Sequence, residues 1–481
     1  VKQTGLDAVL PLTPLQEGLL FHGLFDPKAD DIYVSQHVLD VRGPLDAHAL
    51  RAAADALLAR HASLRVGFRH EGLSKPVQIV PSSVATPWHE ADLAGEPDPA
   101  ARAARAEELL HADRARRFDL AAPPLVRFTL LRTGEQEYRF SLTFHHLLVD
   151  GWSLSVLLHE LFTLYGNGAD LRALPPVTPY RTFLGWLAKQ DRKAAVAAWA
   201  DALAGLRDPS LVAPDAEDAR AAVPEHVFTT LTATQTERLT ARSRELGVTV
   251  NTVVQGAWAI LLSRLLGSDD VVFGATVSGR PPEIPGVENM VGLFINTVPV
   301  RVPVRAAEPV EVLLRRLQSS QLDLLPHQHL GLTDIQQAAG LPELFDTMVV
   351  FENYPHDVGA SASASRTPAD AVRVTGQSTS DGSHYPLTLV AVPGPTMRFR
   401  LDHRPDVFDT EAAEVLLARF VRVLEAVVGE PSVRVGVVPV LSVAERAAVV
   451  AGWSVDAGEP VAVSASLPGG GVLGSWFSRV A

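Results

Sequence analysis

Phe144-His145-His146-Leu147-Leu148-Val149-Asp150-Gly151-Trp152-Ser153 joins a strand to a helix and carries two histidines, an aspartate and a glycine across the join. Upstream, Tyr138, Phe140, Leu142 and Phe144 alternate with Arg139, Ser141 and Thr143, the period-two signature of a strand. Continuing that alternation puts His146 on the face of Phe144 and His145 on the opposite face. Two adjacent histidines that diverge in this way do different jobs. The functional role falls to His146 and the structural one to His145. Asp150-Gly151 reads as a tight turn before the next helix, with glycine taking a backbone angle denied to bulkier residues. The Asp150 carboxylate, four residues from His146, can fix local geometry or pair with a remote arginine.

Working outward, Leu125–Arg132 and Tyr138–His146 read as two strands joined by a turn at 133–137. A strand is expected at 33–41. Helices follow from the apolar spacing of Leu50, Ala54, Leu57, Leu58 and His61, from the Ala/Arg/Glu-rich stretch 100–117, and from Val156–Tyr165. Thr13 is placed to cap a helix opening at Pro14. Residues 166–224 hold glycines, prolines and polar stretches and form a junction. From Val227 a second series begins: strands at 227–232, 271–277, 293–302, 348–352, 385–392 and 396–403, with helices at 234–246, 251–266, 309–325 and 410–428. The fold class is therefore α/β (α+β), with a first lobe at 1–174, a second at 175–450 and a linker at 451–481. The similar element order of the two halves suggests a duplication. Asp357–Ala371, Ser/Ala-rich and aperiodic, reads as a loop. The glycine run at Gly469-Gly470-Gly471 lacks a following Gly-Lys-Ser/Thr and reads as linker.

The 481 residues suit two or three domains, and 47% hydrophobic with 20% charged residues is the balance of a globular chain. A net charge of -13 without a basic block argues against nucleic acid or an anionic membrane as partner. No cysteine is present, which excludes disulfides, thiolate metal sites and a cysteine nucleophile. Val253–Leu266 is too short and too polar to span a bilayer and reads as a buried helix. The first residues show neither an initiator Met nor a signal pattern, so the chain reads as a piece of something longer, located in the cytoplasm.

This chemistry fits acyl transfer to an amine. An α-amino group, with a pKa of about 7.7–8.0, is partly protonated at neutral pH, and an imidazole of pKa near 6.5 can accept or hold its proton. A histidine that mainly orients the amine is the alternative role. Zinc is disfavoured, because neighbouring strand residues diverge and no HExxH helix accompanies them.

His145-His146-Leu147-Leu148-Val149-Asp150-Gly151 resembles the HHxxxDG signature of condensation domains of nonribosomal peptide synthetases, within the chloramphenicol acetyltransferase-like superfamily. Further segments match in order: Leu10-Pro11-Leu12-Thr13-Pro14-Leu15-Gln16-Glu17-Gly18-Leu19-Leu20-Phe21-His22 resembles the opening motif, Arg60-His61-Ala62-Ser63-Leu64-Arg65-Val66-Gly67-Phe68 the RHExLRxxF segment, and Pro179-Tyr180-Arg181-Thr182-Phe183 a Tyr-containing motif. Val291–Arg301 resembles the VGxFxNT segment, His327-Gln328-His329 stands where the family has HQD, and Phe351-Glu352-Asn353-Tyr354-Pro355 is also typical. Ala62 and His329 depart from the family pattern, which bears on subtype.

The resemblance implies a pseudo-dimer of two acetyltransferase-like lobes in a V with a tunnel between them. It implies peptide-bond formation between two substrates carried as phosphopantetheine thioesters on upstream donor and downstream acceptor carrier domains, beside an adenylation domain. No cofactor is bound by the domain itself. By resemblance His146 contacts the nucleophilic amine, and Asp150 makes a structural salt bridge for which Arg65 is the candidate partner. Gly151 offers its N–H near the reacting carbonyl. Trp152, Ser153 and Asn353 are expected to line the substrate path. The opening motif most resembles domains taking a D-configured donor and an L or achiral acceptor. The rival readings are an epimerisation domain, which shares HHxxxDG, and a non-catalytic recruitment domain of the same fold.

Overall fold

A computed structural model of the chain describes residues 5–25, 31–216, 222–353 and 372–455. The strands, in chain order, are β1 (Leu6–Pro11), β2 (Val34–Arg42), β3 (Gly67–Arg69), β4 (Val77–Pro81), β5 (Trp88–Asp92), β6 (Val126–Arg132), β7 (Glu137–His145), β8 (Glu225–Thr230), β9 (Asp270–Val277), β10 (Asn296–Pro303), β11 (Thr347–Phe351), β12 (Arg373–Ser380), β13 (Leu387–Val392) and β14 (Arg398–His403). The chain divides into two compact units. One holds the residues up to Gln190 with Ser278–Asn296 and β12; the other holds Asp191–Val277, Thr297–Asn353 and the chain from His384 onward.

The first unit is built on a five-stranded sheet ordered β12-β2-β7-β6-β5. The strand β7 lies in the middle, antiparallel to both β2 and β6. From Phe140 onward every residue of β7 is buried, so both of its faces are covered. Helix Pro99–Ala115 covers one of them: Ala106 and Leu110 pack with Val38 and Leu131. Asp98 caps this helix and Pro99 opens it, as the sequence suggests. Helix Ala47–Arg60 buries Leu50, Ala53, Ala54, Leu57 and Leu58. Each large aliphatic side chain removed from water in this way stabilises the unit by about 1.5–3 kcal/mol. A buried ion cluster ties it to helix Gly151–Gly166. Arg60 donates to both Glu160 oxygens at 3.0 and 3.1 Å, and His61 Nε2 lies 2.5 Å from Glu160 Oε2.

The second unit has a six-stranded sheet ordered β10-β9-β11-β13-β14-β8. Its centre is parallel (β9, β11, β13) and its far side antiparallel. Helix Val250–Leu266, the apolar stretch read as buried, is enclosed along Thr252–Ser263. A Cβ at Gly256 would lie 2.3 Å from a Leu314 methyl, so this helix meets helix Val310–Leu324 at glycine distance.

Most expected elements fall within a few residues of their observed bounds. Three readings need correction. A single cut at 174/175 does not describe the compact units, because Tyr180–Leu187 and the segment 278–296 pack with the first unit; Tyr180, Phe183, Leu184, Ile284, Val287, Met290 and Phe294 form one apolar cluster. The strand β12 was not foreseen. Its sequence, Arg-Val-Thr-Gly-Gln-Ser-Thr-Ser, is too polar to announce a strand, and it exists because β2 offers it an edge. Helix Val443–Val455 runs past the expected start of the linker at 451, while 456–481 lie outside the described residues. So does the whole of the loop expected at 357–371.

Candidate active site

The central place of β7 pins its end from both sides. His145 N–H donates to Leu125 O at 3.0 Å, and His146 N–H donates to Tyr33 O at 2.9 Å. The strand stops at His145, and His146 is the first residue of the turn. The two rings then take different surroundings. His145 is fully buried. Its Nδ1 accepts the Leu147 N–H at 3.1 Å, and a nitrogen that accepts carries no proton, so the ring hydrogen sits on Nε2. That Nε2 faces Asp31 Oδ2 at 3.4 Å. His146 is only half buried. Its Nδ1 is enclosed and bonded to no protein group among the described residues.

The turn is braced from the opening motif. Gln16 Nε2 donates to Leu147 O at 2.9 Å, while Gln16 Oε1 accepts from Thr13 N–H at 2.9 Å and from Gln78 Nε2 at 3.1 Å. Thr13 caps helix Pro14–Phe25 in return, accepting the Gln16 N–H at 3.2 Å. A buried glutamine thus spends its amide on the carbonyl of the residue that fixes His145.

Asp150 closes the turn and opens the helix. Its Oδ1 accepts the Ser153 N–H at 2.8 Å as an N-cap, and its Oδ2 accepts the Phe294 N–H at 3.0 Å. Its ion partner is Arg280, whose Nη2 lies 3.2 Å from Oδ1. Arg280 also donates to Ser153 Oγ at 2.8 Å and to the carbonyls of Val287 and Met290. Its guanidinium lies 4.0 Å from the Phe294 ring centroid. Ser153 Oγ donates to Gly292 O at 2.7 Å and accepts the Gly292 N–H at 3.1 Å. Tyr180 donates to Leu293 O, and a Cβ on Gly292 would overlap the Tyr180 ring at 2.2 Å. Burial lowers the pKa of Arg280 against the opposing pull of Asp150, and burial raises that of Tyr180. The motif's aspartate and serine therefore latch the segment 278–296 to the start of helix Gly151–Gly166.

Several expected assignments change. The Arg65–Asp150 pair is not formed. Arg65 donates to Leu58 O and Ala59 O, both at 2.7 Å, and to Asp7 at 3.2 Å, which spends its guanidinium on the end of helix Ala47–Arg60. Ser153 is fully buried with its hydroxyl engaged, so it serves the latch and not a substrate. Gly151 opens the helix and is not among the residues with positive φ, so no special backbone angle is used there. Its N–H, like that of Trp152, belongs to the first helical turn, where no intrahelical acceptor exists. Trp152 is half buried and donates its indole N–H to Glu288 O at 2.8 Å. Asn353 is exposed just after β11, in the second unit.

Sequence reasoning missed Arg280, 130 positions from its partner, with only the Ser278-Gly279-Arg280-Pro281 break to hint at it. The brace role of Gln16 and the place of Asp31 were also missed. No group of three or more metal-ligating side chains occurs among the described residues. No single helix among them is long and apolar enough to cross a membrane.

Two mixed α/β units, with an HHxxxDG turn at the end of a central strand, define an acyltransferase architecture. A sequence profile described as "Condensation domain" matches residues 7–450. The chain therefore belongs to the condensation-domain family, the amide-bond-forming acyltransferases of nonribosomal peptide synthetases. It is 37% identical over 458 residues to a linear gramicidin synthase of Brevibacillus parabrevis, covering 93% of this chain and 6% of that protein. It is 32% identical over 438 residues to surfactin synthase subunit 3 of Bacillus subtilis (strain 168), covering 90% of this chain and 34% of that protein. The chain thus spans a small part of the relatives it matches. Among solved structures, the first condensation domain of the calcium-dependent antibiotic synthetase, in complex with a substrate analogue, superposes with a TM-score of 0.74 at 23% identity, over 91% of this chain and all of that one.

Proposed function

We propose that this chain forms an amide bond between two carrier-borne substrates. The acceptor's amine attacks the carbonyl of the donor thioester, the C–S bond breaks, and the donor carrier's thiol leaves with a proton. The product stays on the acceptor carrier. His146 meets the incoming amine. The observation that carries this reading is the contrast along the motif. His145, Asp150 and Ser153 are buried and held by protein contacts, whereas His146 is partly open. An imidazole with part of its surface open can meet an incoming amine and accept or hold its proton, which the fully buried side chains of the motif cannot. The positive end of helix Gly151–Gly166, with the N–H of Gly151, is positioned in sequence to meet developing negative charge on the carbonyl oxygen.

On this reading the partners are upstream donor and downstream acceptor carrier domains, which deliver substrates on phosphopantetheine, with an adenylation domain alongside and the whole at work in the cytoplasm. The domain itself holds no cofactor. Trp152 and Asn353 are read as substrate-facing. The donor is read as D-configured, supported by the likeness of Leu10–His22 to the opening motif of that subtype.

The test loads donor and acceptor carriers, adds the chain, and follows the acceptor by intact mass. Transfer is expected, faster with a D than an L donor residue. Deuterium entering the donor α-carbon without any acceptor, and no mass transfer, would replace this reading with epimerisation.

A further inference from the structure

Asp31 is a buried carboxylate outside the motif; it faces His145 directly and is linked to His146 through the Tyr33 peptide. Its side chain is 2% exposed. Oδ1 accepts the Tyr33 N–H at 3.2 Å, and the Tyr33 carbonyl in turn accepts the His146 N–H at 2.9 Å. The Asp31 carbonyl accepts the Val34 N–H at 3.0 Å, where β2 begins. Oδ2 faces His145 Nε2 at 3.4 Å, and both atoms are buried without another hydrogen-bond partner among the described residues. Two orphaned buried groups at that distance, one a carboxylate and the other the ring N–H left by the Leu147 contact, are each other's complement. Arg117 stands 3.9 Å from the same Oδ2 and donates to Gly23 O at 2.8 Å, so the carboxylate has a cation behind it.

We propose that Asp31 is the positioning residue of the histidine pair: one carboxylate fixes the His145 ring through Nε2 and, through the Tyr33 peptide, the backbone from which His146 projects. The proposal rests on the amide-forming reading for its effect on rate, but not for the contact itself. Burial opposes ionisation of Asp31, and its contacts with His145, Arg117 and the Tyr33 N–H outweigh that and hold its pKa below the usual carboxylate value.

The test is Asp31→Asn in the full chain, with Asp31→Glu beside it. Asparagine offers one acceptor and one donor. It can keep the Tyr33 N–H only by turning its NH2 toward the His145 ring N–H, donor against donor. Two readouts are taken: the His145 ring nitrogen and proton resonances by NMR, and kcat and KM for amide transfer between loaded carriers. Expected are a displaced His145 ring signal, kcat lowered by about 10-fold to 10²-fold, the range that misplacement of up to an ångström carries, and KM unchanged. Asp31→Glu, which keeps the charge, is expected to recover part of the rate. An unmoved ring signal in a folded Asp31→Asn, whatever the rate, overturns the proposal; so does a displaced signal with an unchanged kcat. Should Asp31→Asn fail to fold, Asp31→Glu is read in its place by the same two measurements. Absence of transfer by the wild type would instead defeat the amide-forming reading, and the NMR arm would still decide the contact.

Discussion

At the residue scale, the site is a set of buried side chains held by protein contacts, beside one histidine that is partly open. Asp150 shows what the buried ones do. Its carboxylate is fully buried, with two backbone N–H groups and one guanidinium on it. Removing one partner of such a buried pair leaves the other charged and unpaired, at a cost of about 3–5 kcal/mol. Arg280→Leu and Asp150→Ala are each expected to lose that much in chemical denaturation, and Arg65→Leu is expected to leave the Asp150 contacts intact. An Arg280→Leu protein as stable as wild type would contradict the latch. The histidine pair was legible in the sequence because strand alternation separates its members. Yet the face argument identified the free ring only in part. Beyond Phe140 both faces of β7 are buried, and what distinguishes His146 is that the strand ends one residue before it. Arg280 was not legible: pairing over 130 positions leaves no periodic trace, and Arg65 had the stronger local motif.

At the element scale, the segment 278–296 is held by close approach. Gly279 has φ +58°, and a Cβ there would fall 1.8 Å from Phe294 O. Gly292 leaves room for the Tyr180 ring. Overpacking of this kind costs about 1–3 kcal/mol where neighbours can shift. Gly292→Ala is therefore expected to destabilise the chain by that amount, with Tyr180→Ala in the same chain relieving the overlap. The measurement is a double-mutant cycle on unfolding free energy, and strict additivity of the two changes would contradict the contact. Helices with clear caps, at Pro14 and Pro99, were readable because a cap is a local signal. The strand β12 was not, because an edge strand is specified by the neighbour it joins.

At the scale of the whole molecule, pH reports on buried histidine. His37 lies in β2 with Nδ1 2.8 Å from Thr379 Oγ1 on β12. Burial pushes its pKa down to about 4, against an opposing pull from Asp381. The unfolded ring, near 6.5, takes up its proton first as pH falls. The stability contributed by the neutral ring is thus complete above pH 6.5 and lost as pH drops toward 4, on the order of 3 kcal/mol at 1.36 kcal/mol per pH unit. His37→Gln is expected to flatten the unfolding free energy across that window; an unchanged slope would contradict it. The two-lobed α/β class was legible from alternating element types, and the family from motifs spread along the chain. The division into units was not, since 278–296 and β12 join the first unit from far downstream in the chain. The chemistry turns on His146. Single-turnover transfer between loaded carriers, with wild type and His146→Ala compared by intact mass, tests its role most directly. The predicted result is a rate lower by roughly 10²–10⁴-fold in a variant that melts like wild type; transfer at the wild-type rate would contradict it.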